Sequence, residues 1–204
     1  MKTALGIILA ATLCPEARVH LKALVGLDTS NPPGNESRVV DYLRAQLERE
    51  GIPAIVVPFA EGRSSLIATL KGTGAKRPIV LVCHTDVVPA QASEWSTPPF
   101  EPVEKDGYLF GRGTADNKSM CAAMLSVLAH LKRAAGPRSR DVVFLAHADE
   151  ETGAGRRHLD WLLERHGAAE RPRPRRRLAW PDRHGPQHRH DDRPDARPAQ
   201  PDGR

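Results

Sequence analysis

The sequence has little cysteine, no apolar run long enough to cross a bilayer and, over most of its length, no excess of charge of either sign. The three cysteines, Cys14, Cys83 and Cys121, are odd in number and irregularly spaced. That argues against a disulfide framework and for buried free thiols. After Met1 and Lys2, Ala4 to Leu13 forms an apolar run far short of the ~20 residues a transmembrane helix needs. It has the outline of a signal peptide, yet Pro15 follows Cys14 and no Ala-x-Ala site closes the run. Residues 1–14 are therefore expected to be a signal-like or leader segment, with cytoplasmic and exported locations both open. The net charge of +5 belongs to the tail alone: residues 1–170 hold 20 Lys+Arg against 20 Asp+Glu, and residues 171–204 hold 10 Arg and 5 Asp. A neutral body has no electrostatic footprint for nucleic acid or a membrane surface, so neither is an expected partner.

What is present is an ordinary globular composition, in a chain long enough for one sizeable α/β domain and little more. Residues 16–26 carry Val19, Leu21, Leu24 and Val25 on a helical period that Gly26 ends. Residues 36–50 carry Val39, Leu43 and Leu47 at i, i+4 and i+8, before Gly51. The loop between them, Asp28 to Asn35, is dense in turn formers. β-rich runs follow at 54–59, 65–70 and 79–83, the last continuously apolar and so expected to be a central strand buried on both faces. Residues 117–134 predict the best helix, with Met120, Met124, Val127, Leu128 and Leu131 on its apolar side. Residues 142–146 read as another buried strand and 155–165 as a helix. This alternation predicts an α/β fold, a doubly wound and mainly parallel sheet covered on both faces, over residues 15–167.

Residues 168–204 have no usable apolar period and are expected to be a disordered Arg/Pro-rich tail. Its dominant residue types can all be encoded by GC-rich codons and lysine is absent. That composition points to a frameshifted reading of a GC-rich gene, with a natural disordered tail as the alternative.

Three segments concentrate acids and imidazole at the ends of the expected strands: Cys83-His84-Thr85-Asp86, Gly113-Thr114-Ala115-Asp116-Asn117 and His147-Ala148-Asp149-Glu150-Glu151. Each alone has an ordinary reading, as a loop-edge hydrogen bond, a helix cap or solvated surface. Together, at one carboxyl edge of a parallel sheet, they can converge on a ligand. In His84-x-Asp86 a carboxylate two residues on can accept the N–H of a metal-binding imidazole. Asp116 can bridge two cations, and of Glu150 and Glu151 one can ligate while the other moves a proton. The mixture suits zinc, with cobalt or manganese as alternatives.

The segments HTDVVP, WSTPPFEPVEKDGYLFGRGTADNKS, ADEETGAG and TSNPPGNE resemble the pattern of a zinc metallopeptidase family. It includes aminoacylase, carboxypeptidase G, acetylornithine deacetylase and succinyl-diaminopimelate desuccinylase. The resemblance covers residues 15–167 and implies a sheet of the zinc-aminopeptidase type. By position, His84 and Glu151 would be zinc ligands, Asp116 the bridging carboxylate, Asp86 the residue orienting His84 and Glu150 the general acid/base. It also implies a cis peptide bond after Asp116. Two zincs about 3.5–4 Å apart would activate a water for attack on an amide. The expected substrates are N-acyl amino acids or small peptides. His147 and Asp149 would serve the local frame.

The family has a further acidic ligand after the Glu-Glu pair, a last histidine near the end of a longer chain, and an inserted domain through which it often forms homodimers. Where the acidic ligand should fall, this sequence reads Arg175-Arg176-Arg177. The expectation is therefore a truncated catalytic domain with an incomplete site. A catalytically inactive truncated product, or a weak metal-binding fragment, is the alternative.

Overall fold

The structure, a computed structural model, describes residues 15–134, 136–153 and 155–166. The leader-like segment 1–14 and the tail 168–204 lie outside the described residues. Helix α1 (residues 15–25) buries Leu24 and Val25 but leaves Val19 64% exposed, so its apolar stripe is narrower than its period suggests. Helix α2 (Ser37–Arg49) buries Val39, Val40, Leu43 and Leu47, the face its 3.6-residue period predicts. Strands β1 (Ala54–Ala60) and β2 (Arg63–Leu70) form an antiparallel hairpin. Then come β3 (Ile79–His84), a small hairpin of β4 (Val103–Lys105) and β5 (Tyr108–Phe110), helix α3 (Lys118–Arg133), β6 (Val142–His147) and α4 (Gly155–His166). The small hairpin turns at Asp106-Gly107, both at positive φ, a hairpin signal that the periodicity reading passed over.

The main sheet has the order β1-β2-β6-β3. β3 and β6 pair parallel across α3, and β2 pairs antiparallel with both β1 and β6. The expected α/β class stands, with a mixed sheet. Side chains alternate across β6: Phe144 and Ala146 face Leu43, Leu47, Leu125 and Leu128, while Leu145 meets Val57 and Leu162 of α4 on the other side. Burying one such Leu or Phe side chain stabilises by roughly 1.5–3 kcal/mol. No helix among the described residues is long and apolar enough to cross a membrane.

Three local expectations need correction. β3 is an edge strand among the described residues, hydrogen-bonded only to β6, and Ile79, Val80 and Val82 are exposed. Its continuous apolar run therefore does not mark burial on both faces. The buried face of α3 is centred on Cys121, Leu125 and Leu128, with Met120 outside it. Cys83 and Cys121 are buried as expected, yet they form a disulfide. The packing of α3 on β3 brings their Cα atoms to 5.5 Å, within bridging range, a proximity that their 38-residue separation hides.

Candidate metal centre

Because β3 and β6 run parallel with His84 opposite His147, both strands end at the same edge. The Thr85 N–H donates to the His147 carbonyl at 2.9 Å. A third segment joins them: Asn31 N–H donates to the Val87 carbonyl (2.9 Å), and Val87 N–H to that of Thr29 (3.1 Å). This strand-end edge is where parallel sheets open a ligand crevice.

Asp86 is completely buried at the centre of the edge. Its Oδ1 accepts the Glu150 N–H at 3.1 Å; its Oδ2 accepts the Glu151 N–H at 3.0 Å and Asn31 Nδ2 at 2.8 Å. Burial pushes this carboxyl up, but hydrogen bonds from His84, Asn31 and the two main-chain amides hold it far below the usual carboxylate range. His84 Nδ1 lies 3.1 Å from the Asp86 carbonyl oxygen and 3.4 Å from Oδ1. The carboxylate lies within reach of the imidazole, but its shorter bonds go to Asn31 and to the turn that carries the two glutamates.

The other imidazole nitrogen, His84 Nε2, meets Asp116 Oδ1 at 2.9 Å and Glu150 Oε2 at 3.9 Å. Burial lowers the His84 pKa, yet Asp86, Asp116 and Glu150 more than reverse this and raise it to about 9. Asp116 is exposed and precedes the cis peptide bond to Asn117 that the resemblance implies. The turn before it needs Gly113, at φ +89°: a Cβ there would stand 2.8 Å from Lys118 Cδ and 3.0 Å from Val87 Cγ1. Lys118 is fully buried and donates to the Leu27 carbonyl at 2.5 Å, stitching the start of α3 to the segment that carries Asn31. Burial pulls its pKa down to about 8, against the opposing charge of Asp28.

His84, Glu150 and Glu151 each offer a ligand atom within 4.8 Å of the others. Asp116 stands outside that mutual set but hydrogen-bonds its histidine. Burial raises the Glu151 pKa, and the charges of Asp116, Asp86 and Glu150 add to the rise against the opposing effect of His84. An imidazole with two carboxylates converging on it, one of them raised by burial and by neighbouring negative charge, is a donor set that a divalent cation fits.

His147, placed by the sequence in the local frame, is buried, with Nδ1 3.2 Å from the Ala148 carbonyl oxygen and a pKa lowered chiefly by burial. Asn31, Lys118 and Arg63 were not singled out from the sequence. Asn31 had a signal, a polar side chain in the TSNPPGNE segment, and Lys118 had its place two residues after Asp116. Arg63, which reaches Asp149 at 2.9 Å, had none.

The profile of peptidase family M20/M25/M40 matches residues 80–190, which include all five residues singled out from the sequence. A probable succinyl-diaminopimelate desuccinylase of Staphylococcus epidermidis is 35% identical over 143 residues, covering 69% of this chain and 34% of its own length. Acetylornithine deacetylase of Proteus mirabilis is 36% identical over 136 residues, covering 65% and 34%. An M20 family metallo-carboxypeptidase from Sulfolobus solfataricus shares the fold with a TM-score of 0.67 at 23% identity, over 76% of this chain and 35% of its own. The chain thus spans about a third or less of the length of the curated relatives it matches. With the profile matched over more than half of its residues, the chain belongs to peptidase family M20/M25/M40.

Proposed function

We propose that the described residues carry the catalytic part of a two-zinc hydrolase that cleaves amide bonds in N-acyl amino acids or small peptides. The carrying observation is the convergence of His84, Glu150 and Glu151 ligand atoms within 4.8 Å, with Asp116 on the free nitrogen of His84. His84, Asp116 and Glu151 would hold zinc, with cobalt or manganese as substitutes. The bound cations would supply Lewis acidity and a lowered pKa for water. Asp86 orients His84 and, through the amides of Glu150 and Glu151, sets where both acids stand. Glu150, half exposed, takes a proton from the attacking water on its carboxylate and returns it to the departing amine nitrogen. Amide and water thereby give a carboxylate and a protonated amine, Glu150 ending as the carboxylate it began as. The N-acyl substrate class is supported by the names of the relatives, a desuccinylase and a deacetylase.

A second reading, cation binding without turnover, is favoured by the short donor set: three mutually close ligand atoms among the described residues. Zinc stoichiometry and hydrolysis of an N-acetyl amino acid, measured beside Glu150→Ala, separate the two. The first reading expects zinc uptake and hydrolysis that Glu150→Ala lowers by about 10²–10⁴-fold. Zinc uptake with no hydrolysis in the parent chain selects the second, and no zinc uptake refutes both.

A further inference from the structure

We propose that Arg63, held by Glu36, is a positioning residue that sets the turn Asp149-Glu150-Glu151. The proposal rests on the roles given above to Glu150 and Glu151. Arg63 opens β2, 86 residues before Asp149 in the chain. Its Nε donates to Glu36 Oε2 at 3.0 Å, and its Nη2 donates both to Glu36 Oε1 at 2.5 Å and to Asp149 Oδ1 at 2.9 Å. The Glu36 side chain is 0% exposed and that of Arg63 is 17% exposed. The guanidinium also lies over the Phe59 ring, 5.0 Å from its centroid. Space for it is reserved by Gly34: a Cβ there, at φ +82°, would stand 2.4 Å from Arg63 Nε.

A buried ion pair is by itself a poor source of stability, because desolvation offsets the attraction. This one holds a third group. Asp149 has φ +66°, the left-handed region that a non-glycine residue adopts only at a cost. Its Oδ1 is gripped by three donors: Arg63, Asn31 Nδ2 at 3.1 Å and Thr152 Oγ1 at 3.0 Å. The same Asn31 Nδ2 donates to Asp86 Oδ2. The left-handed residue turns the chain so that the next two N–H groups both face Asp86. A continuous line therefore runs from Glu36 through Arg63, Asp149 and Asn31 to Asp86. Its outcome is the placement of Glu150 and Glu151.

The test uses the full chain and two variants. Glu36→Gln/Arg63→Met removes both charges together, so that neither is left buried alone. Asp149→Asn keeps the residue's shape and its tolerance of positive φ but removes the charge that Arg63 grips. Amide hydrogen exchange of Glu150 and Glu151 is followed in chelator, and cobalt(II) binding is followed by titration and d–d spectrum. In both variants the Glu150 and Glu151 amides should exchange about 10-fold faster or more while β2 and β6 amides stay protected. Cobalt should bind about 10- to 100-fold more weakly, with an altered spectrum. Unchanged exchange at Glu150 and Glu151 in a folded variant overturns the proposal. If the double variant does not fold, Asp149→Asn decides alone by the same criterion. A parent chain that takes up no cobalt would instead overturn the proposed function, and the exchange comparison would still decide the role of Arg63.

Discussion

Replacing Asp86 by asparagine keeps the shape of the side chain and removes its charge, which isolates what the buried carboxylate does for the acidic turn. Besides the His84 imidazole, three donors converge on it: the amides of Glu150 and Glu151 and the Asn31 side chain. An amide at this position can keep its oxygen toward Glu151 and Asn31, but its NH2 then faces the Glu150 N–H, donor against donor. Losing that charge-assisted bond costs about 1.5–3 kcal/mol, and weakening the other two to neutral bonds adds about 1 kcal/mol. The variant is spared the desolvation of a buried carboxylate, which offsets part of the loss. The net expectation is destabilisation by about 2 kcal/mol at pH 7, read from urea denaturation of the metal-free protein. The pH dependence carries a second check. The folded-state pKa of Asp86 is depressed. Its stabilisation is therefore fully present above the unfolded value of about 3.9 and is lost as pH falls toward the folded value. The gap between parent and variant should narrow as pH falls below about 4. A gap under about 0.5 kcal/mol at pH 7, or one that widens below about pH 4, would refute the assignment of Asp86 as the anchor of the turn.

In the metal-free protein the raised His84 pKa of about 9 means that a cation must displace a proton from this imidazole. Calorimetry in buffers of different ionisation enthalpy should then show about one proton released per cation at pH 7, and affinity rising about tenfold per pH unit up to the His84 pKa. A pH-independent affinity would remove His84 from the ligand set. His84 should also lend the metal-free fold stability that is complete below its unfolded pKa of about 6.5 and lost as pH rises through about 9. Reducing the Cys83–Cys121 bridge, which closes a loop of 38 residues, should cost about 4 kcal/mol on the chain-entropy account. Non-reducing peptide mapping finds the Cys83–Cys121 linkage if it forms, and two alkylatable thiols at these positions would show that it does not.

How far the fold and site were legible follows from the range over which each signal acts. α2 could be read because Val39, Leu43 and Leu47 meet one core through a local period, and the structure buries all three. β3 could be recognised as a strand but not placed in the sheet. A run such as Ile79 to Cys83 reports apolarity, whereas edge or centre depends on how many strands flank it, and β3 has only β6 among the described residues. The His84, Asp116 and Glu150-Glu151 segments stood out because acids and imidazole are unusual beside buried strands, and the parallel pairing of β3 with β6 brings the first and last of these together. What could not be read is the set of partners that approach from elsewhere in the chain. Cys83 with Cys121, Lys118 with Leu27, and Arg63 with Glu36 and Asp149 are tertiary pairs between residues that look ordinary in their own segments. Asp86 lies between the two classes. Its place beside His84 suggested a carboxylate that orients one histidine, a local idea. Its contacts show a buried charge that binds three segments at once, because two main-chain N–H groups of a left-handed turn and one side-chain amide all donate to it. Removing that charge should therefore disturb the two glutamates together, whereas loss of an imidazole partner alone would disturb only His84.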